Sequence, residues 1–366
     1  MKAKINNLEL SSTLFLLLFS CTLGIAPLIS IRICGINSYI SVLIGALIGI
    51  IPLCIFLYIF NYELDKPINE KTKIIFGKVL GTIINFLSIP FILLLGITQL
   101  FNISNFVISQ YLTNTPLIII ISVIALTSLY IANKGIKIIT KTSFIYAIII
   151  LIIFVIAILG LLPEVKIDNL KPILEFGIKK PLIAGLINSL NFSIPIYTLL
   201  SLPKTEIENN KKATKYLLLT YILSIVIILS IAVVTSTILG KYLLNIYQYP
   251  VYITLKRISF FKFIDRIENF LSLQWILSGL ITISMTIYSV SKNIKNKDSK
   301  ILNLIIAIIM ILLAYFLFKN NTSFNEYLYK MYPYTTLLPL IIIYVIIFIG
   351  AILKKEIKKI IYVKDV

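Results

Sequence analysis

The sequence predicts an all-α polytopic membrane protein, and three observations predict it. Mean hydropathy is +1.00 and 59% of residues are hydrophobic. Apolar runs of about 17 to 25 residues recur along the chain, the length a helix needs to cross the hydrocarbon core. The polar connections between them are short, the longest lying around 62–80, 163–182 and 240–266, so no water-soluble domain is visible in the 366 residues. A helix satisfies its own backbone hydrogen bonds where lipid offers none. The chain is therefore expected to form a single transmembrane domain over 1–366.

Ten spans follow in order, at 11–33, 37–60, 83–107, 116–132, 143–162, 183–201, 215–239, 270–290, 301–318 and 335–353. Span one reads SCTLGIAPLIS at its centre, with Gly24 and Pro27 inside the apolar run. Proline there frees the carbonyl four residues back, and glycine permits unwinding. LFSC at 18–21 has the outline of a lipoprotein processing site, but the apolar run continues past Cys21 to a full span, so the segment is expected to be retained. Cys21, Cys34 and Cys54 all fall in or beside the first two spans, where a thiol packs as a small apolar group, and no disulfide framework is implied. Spans two, three and ten hold Pro52, Pro90 and Pro339, which transmembrane helices tolerate. Span six reads AGLINSLNFSIPIYTLL, where Gly185 and Pro195 bracket Asn188, Ser189, Asn191 and Ser193. The helix breaks are thus expected at Gly24 and Pro27 in one span and Gly185 and Pro195 in another, five helices apart and crossing in opposite senses. Broken helices at matching positions of two inverted halves point to a transporter-type binding site near the midplane.

The formal charge of +19 does not read as a nucleic-acid surface, because the basic residues punctuate the chain between spans. With the N-terminus inside, the inner segments hold 22 of the 34 basic residues. The positive-inside rule therefore places both termini in the cytoplasm. The lysine-rich stretches at 133–141, 203–215 and 291–300 become cytoplasmic connectors.

Before span eight stands YPVYITLKRISFFKFIDRIENFLSLQW, in a chain with only three arginines. Tyr249, Pro250, Arg257, Arg266, Glu268 and Trp275 in that stretch carry a resemblance. It is similar to the B-subunit permeases of spore germinant receptors, a branch of the amino acid/polyamine/organocation superfamily. LTNTP at 112–116, Gly135 and DNLKPILEFG at 168–177 extend the likeness over most of the chain. The chain departs from the family pattern in GINSYIS after span one, which lacks an acid and a tryptophan, and in having Lys137 and Lys141 after Gly135.

The resemblance implies a LeuT-like fold of ten helices in two inverted five-helix repeats, about 11–162 and 183–353. It also implies a ligand held between helices one and six, with helices three and eight nearby. Unwound helices offer free N–H groups to a carboxylate and free carbonyls to an amine, so no charged side chain is required. The candidate ligand residues are Thr22, Gly24, Ile25 and Ala26 at the first break and Asn188, Ser189, Asn191 and Ser193 at the second. Gln99, Asn102 and Asn105 on span three and Ser278 and Tyr288 on span eight complete the set. Each of these polar groups also suits an ordinary helix-packing hydrogen bond. Arg257, Arg266 and Glu268 are read either as an amphipathic interfacial helix with Phe260, Phe261, Phe263, Ile264, Ile267 and Phe270, or as a gating or docking latch. Arg32 is expected to snorkel to the surface.

The chain has no histidine, and no Asp, Glu or Lys stands near a span centre, so a side-chain proton relay is missing. No metal-ligand spacing, nucleotide loop or nucleophile–base pair appears, and neither enzyme activity nor a cofactor is expected. The expected function is a germinant receptor subunit of the inner spore membrane. It would bind a small nutrient, such as an amino acid, and signal with A-type subunits and lipoprotein C-type subunits, in contact with membrane lipid but not nucleic acid. The alternative is an autonomous amino acid or polyamine permease working by alternating access.

Overall fold

The computed structural model describes residues 4–174, 177–258, 267–295, 298–318 and 320–364. Span one is α1 (Asn7–Gly24) followed by α2 (Ala26–Cys34), and span two is α3 (Ser38–Ile48) followed by α4 (Ile50–Asn61). The amphipathic α5 (Ile68–Phe76) leads into span three, α6 (Lys78–Gln110); α7 (Leu117–Asn133) and α8 (Ile136–Leu161) are spans four and five. Span six is α9 (Lys179–Asn191) and a 3₁₀ stretch at Ile194–Ser201, and span seven is α10 (Asn210–Ile246). The short α11 (Pro250–Leu255) and α12 (Ile267–Leu271) precede span eight, α13 (Leu273–Ile294). Then come α14 (Lys300–Leu317), the short α15 (Asn321–Lys330) and α16 (Leu338–Lys364).

Among the described residues, eight helical stretches are long and apolar enough to cross a membrane. The first runs Ile29–Asn61 and so takes in the end of span one, while the shorter apolar helices Asn7–Cys21 and Leu117–Asn133 stand where spans one and four were placed. Gly35 turns the chain between the first two crossings at φ +56, a left-handed conformation that favours glycine.

Local signals explain the ends. Asn6 accepts the Leu8 N–H at 3.1 Å while Glu9 accepts the Asn6 N–H at 3.1 Å, a capping box that starts α1. Pro90 sits inside α6 without ending it. Gly240, at φ +65, kinks α10 near its end, and the Asn169 side chain packs against it.

Burial follows composition. Leu14, Phe15, Leu16, Leu17, Leu18 and Phe19 are all buried, as befits a helix apolar on every side at the centre of a bundle. Span eight touches α1, α6, α7, α8 and α14 and is buried on nearly all sides. By contrast α8 exposes Ile145, Ile152, Val155 and Leu159, an apolar face suited to lipid. Close approach of the inner helices rests on small residues. A Cβ on Gly45 would stand 2.6 Å from the Asn188 Cβ, and one on Gly185 2.6 Å from Ile44, so spans two and six meet nearly backbone to backbone. Gly96 and Gly279 do the same between spans three and eight, against Thr286 and Ile103.

Gly185 therefore is not a break. It lies inside α9, six residues before its end, and its missing side chain serves packing rather than unwinding.

Candidate functional site

Both expected interruptions exist, but they differ in kind. In span one a single residue, Ile25 (φ −101, ψ −57), separates α1 from α2. Its N–H still donates to the Cys21 carbonyl, and the Ile29 N–H reaches the Ile25 carbonyl at 3.3 Å. Pro27 has no N–H, so the Leu23 carbonyl lacks a donor four residues on. This is a kink with one freed carbonyl, not an unwound stretch. In span six the α-helix closes at Phe192, whose N–H donates to the Asn188 carbonyl at 2.9 Å. Ser193 (φ −122, ψ −38) then breaks the pattern, and Pro195 opens a 3₁₀ helix of 8 residues, all buried. Such runs seldom exceed 3–4 residues, and when they fall inside a span they mark a hinge or a sequence under strain.

Three spans meet beside the first kink. The Ser20 hydroxyl lies 2.5 Å from Thr282 Oγ1 of α13, and the Ser20 carbonyl accepts from Gln99 Nε2 of α6 at 3.0 Å. Thr282 also donates to the Ser278 carbonyl at 3.2 Å. Beside this junction, Gln99 Oε1 and both polar atoms of Asn102 are buried with no hydrogen-bond partner among the described residues, and so are both polar atoms of Asn191 in span six. Asn102 lies one turn beyond Gln99 on α6, and Asn191 is the last residue of α9. An amide left unpaired in an apolar interior costs about 1–3 kcal/mol, so such groups call for a partner.

The remaining sequence-chosen residues divide. Asn188 is fully engaged, sharing hydrogen bonds with Ser30 at 2.8 Å and Ser41 at 3.2 Å, and so ties spans one, two and six together. Ser189, Ser193 and Ser278 each donate to a carbonyl of their own span, at Leu186, Ser189 and Trp275. Ile25 is buried at the kink, while the side chains of Thr22, Gly24, Ala26 and Pro27 lie outside the described set. Asn105 does not share the junction. It donates to Tyr249 Oη at 2.7 Å and to Asn321 Oδ1 at 2.9 Å, because residues six apart on a helix point about 120° away from each other. Tyr288 is also misplaced: it lies about 15 Å along α13 from Ser278, with Lys292 Nζ 5.5 Å from its ring centroid. Ser20 and Thr282 were not singled out in the sequence, although Ser278, Thr282 and Thr286 repeat at four-residue spacing, which aligns them on one helix face.

The end of the bundle away from the N-terminus is closed by aromatic rings. Phe106 packs on Trp275 at 4.4 Å and on Tyr249 and Tyr252 at 5.2 Å between ring centroids. Gln248 and Asn321 bond each other, as do Tyr111 and Ser272. Arg257 is exposed in the turn after α11 and Glu268 is half-buried at the start of α12; among the described residues neither forms an ion pair. Arg266, with Phe260, Phe261, Phe263 and Ile264, lies outside the described residues.

The N-terminal end is closed by main-chain atoms and lysines. Ile5 pairs with the loop after span six, its N–H to the Glu206 carbonyl and its carbonyl to the Glu208 N–H, both at 2.9 Å. Lys71, buried on α5, donates to the Ile59 and Phe60 carbonyls at 2.8 and 3.1 Å, capping the end of α4. Lys204 donates to Asn61, and Asn69 reaches the Lys292 carbonyl at 2.7 Å. Burial, with Lys204 nearby, pulls the Lys71 pKa down to about 7, against the smaller opposing pull of Glu63 and Asp65. Burial lowers that of Lys204 as well.

A helical bundle whose first and sixth spans are interrupted has the LeuT-like arrangement. The solved structure of Mhp1 shares this fold. It is a nucleobase-cation-symport-1 family transporter, in a closed conformation with bromovinylhydantoin bound. It matches with a TM-score of 0.64 at 13% identity, over 89% of this chain and 75% of its own. The chain belongs to the spore germination protein family, whose pattern it matches over residues 10–322. Among relatives, spore germination protein KB of Bacillus subtilis (strain 168) is 22% identical over 75% of both chains. YndE of the same organism is 26% identical over 72% of both. Spore germination protein XB of Bacillus anthracis is 23% identical over 76% of this chain and 77% of its own. Family and fold alike are those of permeases rather than enzymes.

Proposed function

We propose that this protein is the membrane-embedded B subunit of a spore germinant receptor. It binds a small nutrient, an amino acid or a solute of similar size, at the junction of spans one, three, six and eight. Ligand favours one closure state of the broken spans, and partner subunits of the A and C types read that state. The protein sits in the inner spore membrane with both termini cytoplasmic, its repeats running about 11–162 and 183–353.

The observation that carries the reading is the set of orphaned amides. Asn102 and Asn191 are buried, and none of their polar side-chain atoms has a partner among the described residues. An amide presents both donor and acceptor, which matches the carboxylate and ammonium of a zwitterion without a buried charge. The freed Leu23 carbonyl offers a further acceptor.

The test is a thermal-shift screen of the purified full chain against the twenty standard amino acids, with Asn102→Leu and Asn191→Leu beside it. At least one amino acid raises the wild-type midpoint, and both variants fold yet lose that shift. A wild-type chain that responds to none, or variants that respond as wild type does, would overturn the reading. Uptake of the same amino acid into vesicles holding this chain alone separates receptor from permease: flux without partners favours the permease.

A further inference from the structure

At the N-terminal end of the bundle two lysines are buried around one aromatic ring. Lys71 of α5 is 1% exposed, and Lys204, just past the 3₁₀ stretch of span six, is 5% exposed. Their side-chain nitrogens lie 6.0 and 5.9 Å from the centroid of the Phe60 ring at the end of α4. Among the described residues neither lysine forms an ion pair. A cation taken out of water without a counter-ion gives up its proton rather than stay charged, so this place does not suit two ammonium groups at once.

Hydrogen bonding tells the two apart. Lys71 Nζ has two acceptors, the Ile59 and Phe60 carbonyls at 2.8 and 3.1 Å. Two N–H groups are what a neutral amine offers, whereas the third of an ammonium would go unanswered. Lys204 donates to Asn61, an exposed residue, and keeps its charge more easily. Burial first and Lys204 second pull the Lys71 pKa down to about 7, while Glu63 and Asp65, in the loop before α5, oppose them. The other charges of α5 and of the helices packed on it leave Lys71 alone. Glu70 meets Lys66 at 3.4 Å and Lys292 of α13 meets Asp298 at 2.9 Å. Lys73 on α5, Lys78 on α6, and Lys354, Lys355 and Glu356 on α16 do not shift it.

We propose that closure of the N-terminal end is proton-linked: Lys71 is a neutral amine while this end is closed and takes one proton from water as it opens. The moving part is the loop after span six, which carries Lys204. That loop is held by the Thr205 N–H on the Leu64 carbonyl at 3.2 Å and by the pairing of residues 206–208 with Ile5. Lifting it withdraws the second cation and admits water to Lys71, whose amine then binds a proton. The charged Lys71 in turn resists the return of Lys204. Acid therefore favours the open end and alkali the closed one, between about 7 and the ordinary lysine value of 10.5. Below that window both states hold the proton and the linkage ends. The device stands independently of the amide junction, and it supplies, outside the spans, the titrating group that the span centres lack.

The test reads opening through a buried thiol. Ser201→Cys, at the buried end of the 3₁₀ stretch, is placed in the full chain carrying Cys21→Ala, Cys34→Ser and Cys54→Ser. Thr205→Cys, exposed in the adjoining loop, is the control in the same background. Both react with N-ethylmaleimide, an uncharged reagent, in phosphatidylcholine nanodiscs across the window, and dividing the first rate by the second removes the titration of the thiol itself. The ratio is expected to fall by about tenfold per pH unit above about pH 7.5 and to level off below about pH 7. Lys71→Met abolishes the fall. Lys204→Met keeps Lys71 but removes its cationic neighbour, so the fall begins at higher pH; this variant carries the test should Lys71→Met fold poorly by circular dichroism. A ratio that does not change with pH, a fall that a folded Lys71→Met chain retains, or an onset that Lys204→Met does not move overturns the proposal.

Discussion

At the N-terminal end the spans are tied through main-chain atoms: Ile5 to the 206–208 loop, Lys71 to two α4 carbonyls, Asn69 to the Lys292 carbonyl. At the other end the ties run between side chains: Asn105 to Tyr249, Gln248 to Asn321, Phe106 against Trp275. Main-chain partners cannot rotate away, so opening the first end means moving whole segments, whereas rotamer changes can loosen the second. The end held by side chains is therefore the one that changes of rotamer alone can loosen.

The largest expected effect breaks the comparison at its stiffer end. Lys71→Ala leaves two helix-terminal carbonyls uncapped and a cavity behind, and should cost about 3 kcal/mol or more, read as a fall in the denaturation midpoint. Lys71→Met, which keeps the volume, should cost less. The same lysine gives a pH signature. An unfolded lysine keeps its proton up to its ordinary pKa of 10.5, while folded Lys71 releases it near 7. The unfolded state then binds more protons between those values, so stability rises with pH through that window, and Lys71→Met should flatten the slope.

Next in size is Gly45→Val, which forces the close contact of spans two and six apart and should cost about 1–3 kcal/mol, with faster amide exchange along α9. The smallest is Tyr249→Phe. It removes one of two partners of Asn105 and should cost about 1 kcal/mol, raising exchange at the far end while the N-terminal end keeps its protection. If Tyr249→Phe loosens the N-terminal end as much as its own, the two closures are coupled and the contrast between them fails.

Much of this was legible along the chain. Spans three, five and seven appear where the apolar runs stand, because a run that long in lipid has no other way to satisfy its backbone. Pro195 correctly announced an interruption, since a missing N–H must leave a carbonyl open. Gly185 misled because a glycine in a helix reads the same whether it loosens the backbone or lets another helix touch it; only Ile44 and Gly45 across the contact tell the two apart. Asn105 and Tyr288 misled for another reason. A polar residue within a span must find a partner, but spacing alone does not say whether that partner is ligand, neighbouring helix or loop. Lys71 drew no notice as one cation in a basic loop, since its burial follows from how α5 folds back beneath α4.

The sequence by itself determined that the protein is membrane-embedded and all-helical, that spans one and six are interrupted, and which family it belongs to. Each of these is a property of neighbours along the chain: apolar length, a proline without its N–H, a short motif. Only the tertiary structure decided which amides are orphaned and which are engaged, that span one merely kinks while span six changes helix type, and that Arg32, Lys180 and Lys241 share one cavity. Hydrogen-bond satisfaction and charge clustering depend on residues some 60 to 210 positions apart, and no local pattern encodes those distances.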